Sequence, residues 1–142
     1  MRTVTPAQLY YHLTKIRDAY IAAMQPVSTA LDMPPVATVI LLFLANNPEC
    51  NAARDVCECL SLRPSIVSFH VDHLVRDGYL KSVKASGDRR KHVLRCTDKA
   101  APAIEQGRAL QSAFWVQLTQ GLDDNDLKIC LRCLEKFGDN IS

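Results

Sequence analysis

Pro64 opens a helical periodicity that runs to Asp77, Gly78 stops it, and two alternating segments follow at once around a cluster of cations. Few folds accommodate that succession. Val67, Val71 and Leu74 fall on one face of the helix, while Ser65, Ser68, Phe69, Asp72 and Arg76 fall on the other. Gly78 suits the left-handed position that ends a helix. A shorter helix, "NAARDVCECL" with Asn51 as its cap, precedes it across the brief link "SLR". Two short helices joined by a tight turn, the second closed by glycine, form a helix-turn-helix pattern.

Beyond Gly78, "YLKSV" and "HVLRC" alternate as strands around "KASGDRRK", a β-hairpin with a long basic tip. A helix-turn-helix followed directly by a hairpin is a winged helix. The rest of the chain is helical. "TPAQ" starts the first helix, with Thr5 as cap, Pro6 at the first helical position and Gln8 completing a capping box. Leu9, Leu13, Ile16, Tyr20, Ala23 and Val27 then make a narrow apolar seam, and Pro26 ends or kinks it. "VATVILLFLA" is apolar nearly all round and belongs in the centre of a domain. "TDKA" begins a long helix at Thr97 in which Pro102 favours a later or kinked start. "DDNDL" opens a last helix with apolar positions Leu127, Cys130, Leu131, Leu134 and Phe137, closed by Gly138.

The fold class is therefore mainly α, with α+β character: a winged helix-turn-helix with long N- and C-terminal dimerisation helices. The 142 residues read as one domain, with residues 33–97 as the DNA-binding lobe and 1–32 and 98–142 as dimerisation helices. The surplus apolar faces of those terminal helices imply a second copy of the chain.

Charge is distributed unevenly. The net charge is only +2, yet residues 63–99 carry nine Lys and Arg against four Asp, leaving eleven acids against eight cations elsewhere. A basic island on an acidic body points to an anionic partner met by one part of the fold. The N-terminus shows no apolar signal segment and no apolar run approaches bilayer length, so no membrane role and a cytoplasmic location are expected. No nucleophile–base pairing, phosphate-binding glycine loop or carboxylate cluster suggests an enzyme, and no cofactor is implied.

"SIVSFHVDHLVRDGYLKSVKASGDRRKHVLRCTDKA", Ser65 to Ala100, resembles the signature of MarR-type transcriptional regulators. It has the hydroxyl-rich recognition helix, the Gly-Tyr-Leu exit (Gly78 to Leu80), the Asp88-Arg89-Arg90 wing tip, and Thr97 opening the next helix. The resemblance implies a homodimer that reads pseudo-palindromic double-stranded DNA, usually a repressor relieved by a small aromatic ligand or by oxidation. Recognition helices would enter major grooves and wing arginines the minor groove, where the negative potential favours them. The implied DNA-binding set is Arg63, Ser65, Ser68, Phe69, Lys84, Ser86, Arg89, Arg90 and Lys91, with Asp88 orienting a neighbouring arginine. The family usually has arginine where this chain has Phe69, and often another at His73. Fewer cations predict weaker non-specific binding and a shallower salt dependence. Phe69 is left with two readings: a contact to a thymine methyl, or packing against a neighbouring helix.

Tyr10, Tyr11 and His12 either line the ligand pocket that the family places between the dimer helices and the DNA-binding lobe, or pack in the dimer interface. Cys57 and Cys96 read as small buried hydrophobes, and His70 as a semi-buried histidine with its polar atoms satisfied. Cys130 and Cys133, three apart on the last helix, share a side and are the redox candidates. They keep alive a reading as a cysteine-based redox or metal-responsive DNA-binding sensor, although one C-x-x-C without a second pair of ligands assigns no metal.

Overall fold

A computed structural model describes residues 3–84, 87 and 92–142. The chain divides into two compact units, 1–111 and 112–142. Its elements are α1 (Pro6–Ala23), α2 (Gln25–Ala30), α3 (Pro35–Asn46), α4 (Ala53–Leu60), α5 (Pro64–Arg76), β1 (Leu80–Lys84), β2 (His92–Cys96), a single 3-10 turn (Asp98–Ala100), α6 (Ala101–Leu118) and α7 (Asp124–Ile141).

In the first unit α3 is the hub. Ala37 through Leu42 and Leu44 are all buried, because a helix apolar all round finds no favourable place at a surface. Helices α1, α2, α4 and α5 and strand β2 contact it. The expected capping box forms: the Gln8 N–H donates to Thr5 Oγ1 at 3.2 Å and the Thr5 N–H to Gln8 Oε1 at 3.1 Å. Pro26 acts as a break, since α1 ends at Ala23 and α2 starts at Gln25 with the proline in its first turn. Val27 thus lies buried on α2 and does not extend the α1 seam.

Two boundaries differ from the sequence reading, and a third, at Pro102, takes the later start that reading allowed. Asn51 does not cap α4. Ala52 holds that position, and the Asp55 carboxylate accepts its N–H at 3.0 Å, so an acid inside the first turn replaces a cap outside it. Asn51 instead donates from its side chain to the Pro48 carbonyl. Pro102 displaces the start of the long helix: the 3-10 turn forms first and α6 begins at Ala101, where a missing proline N–H costs nothing. Gly138 does not close α7, which continues to Ile141. An exposed interior glycine costs a helix only about 1 kcal/mol, too little to end a well-capped one.

In the second unit, Asp123 caps α7 and accepts the Asp126 N–H at 2.8 Å. No α7 residue is buried, and Leu131, Leu134 and Phe137 are exposed large apolar side chains. Among the described residues, no single helix is long and apolar enough to cross a membrane.

Candidate nucleic-acid interface

Helices α4 and α5 meet at Ser61, whose left-handed backbone (φ 52°, ψ 47°) turns the chain through the link predicted from "SLR". Arg63 occupies the position before α5 with its side chain exposed, and Pro64 starts the helix. The inner face of α5 is as read from the periodicity: Val67, Val71 and Leu74 are buried. Ser65, Ser68, Phe69, Asp72 and Arg76 are all exposed.

The far end of α5 is fixed by several contacts. Gly78 takes φ +84°, the Tyr79 N–H donates to the Leu74 carbonyl at 2.9 Å, and the Gly78 N–H donates to Val75 at 3.1 Å. This paired closure satisfies the last carbonyls of the helix. From beyond the hairpin, the Thr97 hydroxyl donates to the Gly78 carbonyl and Lys99 Nζ to the Asp77 carbonyl. The same ammonium lies 4.6 Å from the centroid of the Tyr79 ring. The exposed face of α5 is thereby presented by a helix anchored at its C-terminal end.

The strands pair antiparallel from Leu80↔Cys96 to Lys84↔His92. Leu80, Val93 and Leu94 are buried, and the Leu94 N–H donates to the Asn51 carbonyl at 2.7 Å, tying the hairpin to the loop before α4. Lys84 is exposed at the strand end. Ser86, Asp88, Arg89, Arg90 and Lys91 lie outside the described residues.

His70 departs from its reading. It is 8% exposed, and its Nδ1 has no hydrogen-bond partner among the described residues. Burial, and secondarily the neighbouring His73, hold its pKa below the ordinary histidine value. His73 is exposed, and its Nδ1 donates to the Phe69 carbonyl at 2.9 Å. The Phe69 ring lies 4.4 Å from the His73 ring and edge-on to His70 at 5.2 Å. Two features escaped the sequence reading. Ile66 is 41% exposed, one turn before Phe69. A groove with an apolar floor runs between α4, α5 and the strands, bordered by Cys57, Ser68, Val71, Ser82, His92 and Leu94. Ile66 was detectable, because it sits three residues before Phe69 and off the Val67–Val71 face.

The remaining candidates are dispersed. Tyr10, Tyr11 and His12 are exposed on α1, and both tyrosines border a shallow depression with Thr14, Lys15 and Asp18. Cys57 and Cys96 are half-buried; burial raises the Cys96 thiol pKa, partly opposed by Arg108. Cys130 and Cys133 are exposed on α7. Among the described residues no three His, Cys, Asp or Glu side chains gather as a metal-binding group.

A central apolar helix, a helix-turn-helix and a two-stranded wing define a winged helix-turn-helix protein. Residues 31–91 match the model of the MarR family. Solved structures share the fold over nearly the whole chain. The transcriptional regulator PA3341 has a TM-score of 0.82 at 19% identity, covering 94% of this chain and 97% of its own. A MarR family regulator from Listeria monocytogenes, complexed with a 26mer DNA, has 0.81 at 13%, covering 99% and 90%. The S. aureus MepR–DNA complex has 0.77 at 14%, covering 97% of each chain. No curated protein matches the sequence significantly. The family match spans residues 31–91, and the likeness to these solved structures shows the winged helix-turn-helix fold over the rest of the chain as well.

Proposed function

We propose that this chain is a homodimeric, sequence-specific binder of double-stranded DNA in the cytoplasm that represses transcription and is released by a small aromatic ligand. The observation that carries the reading is the outer face of α5. It bears Ser65, Ser68 and Phe69 in the open, preceded by Arg63, on a helix held at its other end by the Gly78 closure. Small hydroxyls let such a face approach base edges and phosphates closely. Two solved relatives of the same fold are complexes with DNA. The homodimer is supported by exposed apolar side chains on both terminal helices, Leu13 and Ile16 on α1 and Leu131, Leu134 and Phe137 on α7. The ligand site rests on Tyr10, Tyr11 and His12, which present two phenols and an imidazole at the surface of α1.

In this proposal Lys84, Ser86, Arg89, Arg90 and Lys91 supply the wing contacts, with Asp88 as brace. Replacing Arg89 and Arg90 together by Ala should weaken binding to a selected duplex and reduce the slope of log affinity against log salt by about one per lost contact. The dimer should remain. Unchanged affinity at physiological salt would overturn the wing assignment.

A further inference from the structure

The exposed surface of α5 is divided lengthwise. Ser65, Ser68 and Asp72 follow one another at i, i+3 and i+7 as a polar stripe. Beside it, at the same spacing, run Ile66, Phe69 and His73, all exposed. Phe69 is 54% exposed, so its ring is not packed under a neighbouring helix. Nor is the ring loose. His73 donates to the backbone carbonyl of Phe69 itself, which fixes the imidazole, and the phenyl ring leans on that imidazole at 4.4 Å. His70 supports it from the buried side at 5.2 Å, with the rings nearly perpendicular.

Resting on the DNA-binding role proposed above, we infer that Phe69, with Ile66, is a specificity-determining pair that reads the C5-methyl group of a pyrimidine, normally thymine, in the major groove. The patch is two side chains wide on a helix that carries Arg76 and is preceded by Arg63. That is too small and too closely ringed by charge to serve as a protein-docking surface. The thymine methyl is the apolar feature that the major groove offers, and a phenyl ring is among the groups that meet it. A rigid ring loses little freedom on contact, so the methyl's removal from water appears as discrimination between bases.

The test uses a duplex selected by the full-length protein from random or genomic DNA. Each thymine is replaced in turn by deoxyuridine, which deletes only the methyl, and affinity is measured at fixed salt for the wild type and for Phe69→Ala. One or two positions per half-site should weaken wild-type binding about fourfold, the effect of one buried methyl. At those positions Phe69→Ala should bind the two duplexes equally, and 5-methylcytosine should be preferred to cytosine by the wild type alone. A wild type that binds the duplex but is insensitive to deoxyuridine everywhere overturns this inference and leaves DNA binding standing. So does a sensitivity that persists unchanged in Phe69→Ala. Failure of the wild type to select any DNA overturns both. Because the ring is exposed, Phe69→Ala should stay folded and dimeric, with a melting temperature lowered only by the loss of its contacts with His70 and His73, and Phe69→Leu should recover part of the discrimination.

Discussion

Replacing His70 with Leu should stabilise the protein, and more so in acid. The imidazole is 8% exposed and its Nδ1 has no partner among the described residues. A stranded buried polar atom of this kind costs about 1–3 kcal/mol. Leucine is similar in bulk and carries nothing to satisfy. Against that gain stands the edge-on contact with Phe69, worth about 0.5–1.5 kcal/mol. The net expectation at pH 7.5 is a gain of about 1 kcal/mol, or roughly 3 °C in Tm for a chain of this size. The pH dependence has a definite sign. An unfolded histidine titrates near 6.5, and burial lowers the value in the folded protein. As pH falls through 6.5 the unfolded chain therefore takes up a proton that folded His70 declines, and wild-type stability is lost. The loss stops growing once pH passes below the lowered folded value. His73, on the same helix, adds to the lowering. Leucine removes the term, so the advantage of His70→Leu should widen between pH 7.5 and pH 5.5. Urea unfolding at both pH values, at one fixed protomer concentration, reads it directly. A variant less stable than wild type at pH 7.5, or an advantage of the same size at both pH values, would refute the reasoning.

Two other substitutions test the packing. A Cβ at Gly107 would meet Leu42 Cδ2 at 2.5 Å and Cδ1 at 2.7 Å, while one at Gly138 meets nothing within 4 Å. Leu42 is fully buried and cannot swing aside, so Gly107→Ala should lose about 1–3 kcal/mol to overpacking against a helix-propensity gain of about 1. Gly138→Ala should give that gain unopposed; equal Tm shifts would show that α6 does not depend on this close approach to α3. Leu131→Asp combined with Leu134→Asp should shift the protein toward monomer in light scattering without loss of its helical circular dichroism, and an unchanged dimer would remove α7 from the interface.

The elements that local chemistry specifies were legible from residues alone. Thr5 with Gln8, Pro64, and Gly78 each act within one helical turn, and each forms what its type and spacing imply. The central position of α3 followed from its lack of a polar face. Competition between nearby candidates was harder to read. Asn51 and Asp55 both suit the start of α4, and only the backbone path, with the Asn51 carbonyl committed to Leu94, decides for Asp55. Gly138 resembles a helix stop, yet the cost of an interior glycine is small and the residues beyond it continue the helix. For His70, the resemblance, which has an apolar residue at that position, indicated partial burial, but whether a buried imidazole finds a partner depends on neighbours distant in sequence. The Ile66–Phe69–His73 stripe is local by contrast, its order coming from one hydrogen bond and two ring contacts within α5 whose geometry residue types alone do not give. The basic tip at Arg89 and Arg90 stands on its motif and on the proposed experiment.

Selection of genomic fragments by the purified full-length protein, followed by hydroxyl-radical footprinting of the best fragment, tests the central claim most directly. A symmetric dimer that places two copies of α5 in successive major grooves predicts a pseudo-palindromic site with half-sites about one helical turn apart. It further predicts two blocks of protection related by the same two-fold axis. Recovery of no enriched sequence, or of an asymmetric footprint matching a single lobe, would contradict it.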